Sequence, residues 1–397
     1  MNNLQDYIRQ HALRTPGKIA FVMGEQRVSY KQLAQALSAD RGNEQGNALQ
    51  GVPGTLSAAR LFGDITLSTT GTTGKPKQVA YTPQMVLANA ENLVDAHGYT
   101  PDTTFVICGP LSHLGSLSKV WPVMLVGGTV VLLDGLKDMN AFFRAMHTAP
   151  HGMATFLVPT AIHQLMQWGS DKLAALSSAI DFIETGAAPM PHDDMLRLCQ
   201  LLPNTRLFNT YASTETGVVC TYNYNDGQCL AGCVGRPTLH AQVKITDDGH
   251  IACRGPMAMS GYLDDEAATA RTMKDGWVVT ADLGTLDDEG RLHFKAREGD
   301  MMNIGGFKID PLKVEEAARQ ISGVDDCVCV VADSPLFGRC LKLQYVSTSG
   351  QPLPKPLLAR SLAAHLEAYE VPRLYEQVEH LAMTFNGKKL RTLSSSK

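Results

Sequence analysis

Residues Leu67–Thr82 read LSTTGTTGKPKQVAYT, setting the hydroxyls of Thr69, Thr70, Thr72 and Thr73 around Gly71 and Gly74, with Lys75 and Lys77 close behind. Glycines permit a tight turn that aims backbone N–H groups at one point, hydroxyls add donors and lysines add charge. These are the requirements of a polyphosphate cradle. The segment is not a Walker A loop, because Pro76 stands where that motif has its Mg²⁺-binding hydroxyl. A surface turn has the same composition, and this stretch alone leaves both readings open. A second candidate, Asn209–Gly217 (NTYASTETG), follows the apolar stretch TRLF and places Glu215 between Thr214 and Thr216. At a strand end this carboxylate suits Mg²⁺ on a nucleotide phosphate, and capping of a helix by Ser213–Glu215 is the alternative. A third, DFIETGAAPMP at 181–191, ends an apolar strand in Gly186, Ala187 and Ala188. Residues this small admit a flat ring against the backbone, or turn the chain into the next helix.

The elements that must carry these segments follow from hydrophobic periodicity. Leu4, Ile8 and Leu13 predict an opening helix, IAFVM at 19–23 a strand, and 29–37 a second helix. Residues 38–57 are polar and glycine-rich and read as a loop. From Ile65 onward, apolar runs at 105–109, 128–133, 154–159 and 181–186 alternate with helical periods at 84–96, 139–146 and 160–168. Such alternation predicts an α/β fold with a parallel sheet covered on both faces. After about residue 225, short alternating runs with turn dipeptides predict a β-rich, antiparallel subdomain. A compact α+β unit follows from Asp300, giving expected domains 1–299 and 300–397.

The chain has 397 residues with 35 basic and 39 acidic side chains, a formal net charge of −4. That balance gives no reason to expect a nucleic acid or an anionic membrane as partner. The N-terminus has no apolar run behind its basic residues, and the longest apolar stretch, Val120–Leu133, is broken by Gly127 and Gly128. A cytoplasmic location is expected. The nine cysteines include no C-x-x-C pair and no zinc-type spacing, so buried or incidental thiols are the reading. No G-x-S-x-G elbow of a serine hydrolase occurs.

Together these segments resemble the adenylate-forming superfamily of acyl-CoA synthetases, peptide-synthetase adenylation domains and luciferases. TTGTTGKPKQV is similar to its phosphate-binding signature, NTYASTE to its Tyr-x-x-Thr-Glu signature and TGAAPM to its adenine-binding stretch. VGRP at 234–237, GYL at 261–263, DGWVVTADLG at 275–284 and AREGDMMNIGGFKIDPLKVEE at 296–316 follow in the family's order. FNGKKLR at 385–391 resembles its Gly-Lys-x-x-Arg close. The resemblance implies a large ATP- and acid-binding domain followed by a small mobile lid.

Carried across by position, it assigns Thr69, Thr70, Gly71, Thr72, Thr73, Gly74 and Lys77 to the β- and γ-phosphates of ATP. Gly186, Ala187, Ala188, Pro189, Asn209 and Tyr211 fall to the adenine side. Thr214 falls to the α-phosphate, Glu215 to Mg²⁺, and Asp282 and Arg297 to the ribose hydroxyls. Asp300 matches the hinge, Gly305 and Gly306 the thiol tunnel, and Lys388 the catalytic lysine. The implied chemistry is attack of a carboxylate on the α-phosphorus of ATP, where two anions meet and cationic positioning supplies most of the catalysis. No general base is needed, since the nucleophile is ionised near neutral pH. The acyl-adenylate then passes to a thiol, that of coenzyme A or a carrier-protein phosphopantetheine. A catalytically silent acyl-ligand binder or scaffold is the competing class.

GPLSHLGSLS at 109–118 is similar to the start of the acyl pocket in acyl- and aryl-CoA ligases, with His113 and Leu114 as lining and Ala212 and Ser213 across from them. It contains no Asp to pair an amino group, and a buried unpaired ammonium is costly, so the expected substrate is a carboxylic acid other than an α-amino acid. His113 either bonds a polar substituent or simply packs. Gln78, Ala187, Ala212, Ala281, His250 and Met302–Asn303 depart from the family pattern without removing a charged catalytic group. The larger departure is the short region 38–66, where relatives carry a long α/β segment. Strands facing a missing layer would expose apolar area, so a homodimer is expected. Light scattering checks this, a stable monomer at micromolar concentration counting against it.

Overall fold

The computed structural model describes residues 2–39, 61–69, 76–136, 138–304, 306–383 and 389–391. The chain divides into two compact units, Met1–Thr280 with Gly284–Lys295, and Ala281–Leu283 with Ala296–Lys397. In the first unit the strands Ile19–Met23, Thr129–Leu132, Thr104–Ile107, Met153–Leu157, Ile180–Gly186 and Arg206–Ser213 lie side by side in that order, all parallel. The expected parallel α/β sheet is therefore present. Beyond Arg206–Ser213 the pairing turns antiparallel, through Gly217–Asn223 and Cys233–Pro237. The hairpin Gln242–Ile245 with His250–Arg254 belongs to the expected β-rich part.

The helices form where the apolar period allows and stop at identifiable caps. Pro83–His97 starts under Thr82, whose hydroxyl accepts from the Met85 N–H, has Pro83 in its first turn, and ends at Gly98 with φ 66°. Its Val86, Ala90 and Leu93 are fully buried in the main core. Leu114–Val126 packs beside it and buries Trp121, whose indole N–H donates to the Leu61 carbonyl at 2.9 Å. The opening helix Leu4–Arg14 buries Leu4 and Ile8, but Leu13 is 85% exposed. Five residues past Ile8, Leu13 falls well off the Leu4–Ile8 stripe, which corrects its placement on the inward face.

One polar cluster sits inside this core. The Lys119 ammonium donates to Glu184 Oε1 at 2.6 Å, with both side chains almost wholly buried, and lies 5.1 Å from the centroid of the Phe156 ring. The pair ties Leu114–Val126 to the strand that ends at Gly186. Removing one partner would leave a buried charge uncompensated, at a cost of about 3–5 kcal/mol. His97 Nδ1 stands 3.8 Å from Glu184 Oε2, while Nε2 lies 2.9 Å from Thr221 Oγ1. Burial lowers the His97 pKa from 6.5 to about 4, so the imidazole is neutral and Lys119 alone balances Glu184.

The second unit joins the helix Pro311–Arg319 and the helix Lys355–Ala363 to a sheet of Val324–Ser334, Gly338–Ser347 and Leu374–Gln377, around a core that includes Ile309, Val314, Leu343 and Leu358. Among the described residues no helix is long and apolar enough to cross a membrane, and no group of three His, Cys, Asp or Glu side chains could hold a metal by itself. The cysteines are free and mostly buried. A histidine held neutral by burial favours the folded state only while the unfolded histidine is also neutral. Stability should accordingly fall as pH drops from about 6.5 toward about 4. Denaturant titrations across that window should give a shallower pH dependence for His97→Gln than for the parent.

Candidate functional site

Two strands frame the threonine-rich segment. Ile65–Ser68 and Gln78–Tyr81 pair antiparallel, with Ser68 opposite Gln78, and the ends are closed by the Thr69 N–H donating to the Lys77 carbonyl at 2.7 Å. The Lys77 N–H returns a bond to Thr69 Oγ1 at 3.1 Å. Thr70, Gly71, Thr72, Thr73 and Gly74 lie outside the described residues. On its other edge Gln78–Tyr81 pairs with Tyr262–Leu263, and the Lys77 ammonium lies 4.7 Å above the Tyr262 ring.

Glu215 lies in the turn joining Arg206–Ser213 to Gly217–Asn223, where Ser213 and Gly217 pair. No helix begins there, so the capping alternative is excluded by the hairpin. Ser213 and Thr216 brace the turn by mutual bonds: the Ser213 N–H donates to Thr216 Oγ1 and the Thr216 N–H to Ser213 Oγ, each at 3.1 Å. Gly217 has φ 66°, and a Cβ there would come 2.7 Å from Asn89 Oδ1 and from the Met257 carbonyl. Asn89 Oδ1 also accepts from the Val218 N–H at 2.8 Å, and Asn92 donates to the Val218 carbonyl at 3.1 Å. Two buried asparagines of Pro83–His97 thus clamp the turn, a role no sequence motif announced.

The Tyr262 hydroxyl donates to Glu215 Oε1 at 2.9 Å, and the Tyr81 hydroxyl to the Thr214 carbonyl at 2.9 Å. Burial, with the Glu215 charge adding to it, pushes the Tyr81 phenol well above its usual range, so it stays a donor. The structure thereby brings Thr69, Lys77, Thr214 and Glu215 together through two tyrosines that carried no assignment in the sequence. Residues this far apart in the chain meet because three short strands and a hairpin share one edge.

Gly186 ends its strand where a Cβ would meet the Thr210 carbonyl at 2.7 Å. Ala187 follows at φ 66°, a left-handed conformation that glycine adopts freely, and Ala187 and Pro189 are exposed, with Ala188 half-buried. Asn209 is buried and donates to the Cys233 carbonyl at 3.0 Å, which makes it a brace of the sheet. The Tyr211 hydroxyl reaches Thr280 Oγ1 at 3.4 Å, while Ala212 packs against the main core. His113 is the N-cap of Leu114–Val126 and half-buried, and Leu114 joins the core.

In the second unit Asp282 and Arg297 face each other at 3.5 Å, with Asp282 buried. Asp300 closes the short 3-10 turn Glu298–Asp300, and Gly306 has φ 86° between the strands Met302–Ile304 and Phe307–Ile309. Gly305 and Lys388 lie outside the described residues. The chain just beyond Lys388 is firmly held: Lys389 donates to Asp326 and to the Cys327 carbonyl, and Arg391 spans both oxygens of buried Glu315 at 2.6 and 3.2 Å.

These groups could hold a metal only in a particular way. Glu215 offers one half-buried carboxylate, and among the described residues no cation forms an ion pair with it. A lone carboxylate fits Mg²⁺, which keeps waters and takes its other ligands from substrate phosphates, and does not fit an all-protein cage.

Residues 67–263 match the family model of AMP-binding enzymes. The chain is 30% identical over 336 residues to an indoleacetate–CoA ligase of Aromatoleum aromaticum, an alignment that takes in 81% of this chain and 64% of the ligase. It therefore spans less than two thirds of that relative's length. The fold is similar to that of o-succinylbenzoate coenzyme A synthetase from Bacillus subtilis solved with AMP, at TM-score 0.77 and 21% identity, with 98% of each chain covered. It is also similar to an amide bond synthetase from Marinactinospora thermotolerans, at TM-score 0.79 and 22% identity over 97% and 98% of the two chains.

An alanine in the left-handed region costs about 1–2 kcal/mol, partly offset by glycine's larger entropy in the unfolded chain. Ala187→Gly should therefore stabilise the protein by about 0.5–1 kcal/mol in denaturant unfolding.

Proposed function

We propose that this chain, which belongs to the family of AMP-binding enzymes, activates a carboxylic acid with ATP and then forms an acyl thioester. The acid's carboxylate attacks the α-phosphorus and pyrophosphate leaves; the thiol of coenzyme A then attacks the acyl carbon of the acyl-adenylate, forming the thioester and releasing AMP and the thiol proton. The observation that carries this reading is the junction of Thr69 and Lys77 with Thr214 and Glu215 at Tyr262 and Tyr81. A cation, hydroxyls and one carboxylate converge there, the set a metal-chelated polyphosphate requires. Similarity to a CoA ligase supports coenzyme A as acceptor. A carrier-protein phosphopantetheine, which presents the same thiol arm, is the alternative.

In this reading Thr69, Lys77 and the segment between them, including Thr70, Gly71, Thr72, Thr73 and Gly74, hold the β- and γ-phosphates. The ledge Gly186–Pro189 with Tyr211 receives the adenine, while Asp282 and Arg297 bind the ribose hydroxyls. Bound Mg²⁺ would neutralise charge on the phosphoryl oxygens, and Glu215 is the side chain that would hold it. Thr214 donates to the α-phosphate and Lys388 stabilises the charge that develops there. Gly305 and Gly306 leave a side-chain-free path for the pantetheine arm. Residues 109–118 hold no carboxylate, and the buried Glu184 is already balanced by Lys119 at 2.6 Å, which disfavours an acid carrying an α-ammonium.

Acid-dependent exchange of pyrophosphate into ATP, measured over a panel of aryl and acyl acids, tests the reaction. At least one acid should support exchange, and Lys388→Ala should slow it by about 10² or more. If no acid in the panel supports exchange, the proposal is overturned, and parent-like exchange by Lys388→Ala removes the lysine from it. Acyl transfer to a holo carrier protein but not to free coenzyme A would reverse the order of acceptors.

A further inference from the structure

Tyr262 stands between the two opposite charges of the first unit's site, and its geometry differs from that of a packing tyrosine. Its hydroxyl donates to Glu215 Oε1 at 2.9 Å, and its ring carries the Lys77 ammonium at 4.7 Å. Neither charge is neutralised by the other: among the described residues Glu215 takes part in no ion pair. The tyrosine is held on both sides. Its strand pairs with Gln78–Tyr81, Tyr262 opposite Val79, and its N–H donates to Thr269 Oγ1 at 2.9 Å. Gly261 lets the chain pass Thr269, since a Cβ there would lie 2.8 Å from Thr269 Cγ2.

Both charges contact this one side chain, and without it their mutual attraction would favour a direct ion pair. A triphosphate would then have to break that pair before using either charge. We propose that Tyr262 is a positioning residue that keeps Lys77 and Glu215 separately available, the ring holding the cation and the hydroxyl orienting the carboxylate. The bond to Oε1 leaves Oε2 for a magnesium–phosphate, and outer partners of this kind set the orientation of metal-binding carboxylates. The contact to the ring is electrostatic and weak at an open site, so Lys77 gives it up readily when a phosphate oxygen arrives. The proposal rests on the reading of Glu215 as the residue that holds Mg²⁺ and Lys77 as a phosphate ligand.

The test is calorimetric binding of ATP to the full chain without acid, titrated against Mg²⁺, for the parent, Tyr262→Phe, Tyr262→Leu and Glu215→Gln. Tyr262→Phe keeps the ring and loses the hydroxyl. It should raise the Mg²⁺ concentration for half-maximal ATP binding about tenfold while leaving metal-free ATP binding unchanged. Tyr262→Leu also lets Lys77 reach Glu215, so metal-free binding should weaken as well, by about threefold. Equal thermal melting of parent and Tyr262→Phe excludes a folding effect. If Glu215→Gln shifts the Mg²⁺ dependence and Tyr262→Phe does not, the role of Tyr262 is overturned while the metal reading stands. If Glu215→Gln leaves the Mg²⁺ dependence at the parent value, the metal reading fails and the proposal fails with it.

Discussion

A site for a metal-chelated polyphosphate must hold a cation and an anion within reach of one ligand while keeping them from neutralising each other. On the proposed function the first unit would meet that constraint at Tyr262, which touches both the Lys77 ammonium and the Glu215 carboxylate. Everything nearby serves to fix these positions. The strands Ile65–Ser68 and Gln78–Tyr81 close the base of the threonine-rich segment. The hairpin at 213–217 presents Glu215 from the end of the parallel sheet. The ends of parallel strands are where α/β folds bind ligands, and here an antiparallel return delivers the carboxylate.

The supports behind these groups are polar and buried, which makes them exacting. Asn89 and Asn92 reach from Pro83–His97 to the backbone at Val218, so the hairpin turn is tied to a helix. Lys119 and Glu184 tie a second helix to the strand that ends at Gly186. A buried ion pair adds little net stability over a hydrophobic substitute, but it has one register and is costly to break. The strand end that exposes Ala187 is thereby fixed against Leu114–Val126. Neutral His97 fits the same logic, because a second buried cation would unbalance Glu184.

The second unit repeats this pattern where its C-terminal segment returns. Glu315, on Pro311–Arg319, accepts from the Cys329 N–H at 2.8 Å and from both terminal nitrogens of Arg391. Lys389 bonds Asp326 and the Cys327 carbonyl. The residue after Lys388 and the one three beyond it are thus both anchored to the sheet and its covering helix. Within residues 389–391, two cations are thereby held by buried or half-buried acceptors.

What the sequence determined by itself was local in origin. Apolar runs at 105–109, 128–133, 154–159 and 181–186, alternating with helical periods, marked the strands that the fold places at 104–107, 129–132, 153–157 and 180–186. The clustered Thr, Gly and Lys residues, and Glu215 among hydroxyls, stated their chemistry through residue type alone. The tertiary structure decided what no local pattern encodes. It made 213–217 a hairpin turn, although the same residues also suit a helix cap. It made Asn209 a brace and gave Ala187 a left-handed backbone. Above all it brought in Tyr81 and Tyr262, two ordinary strand tyrosines, because pairing between distant strands sets which side chains share an edge.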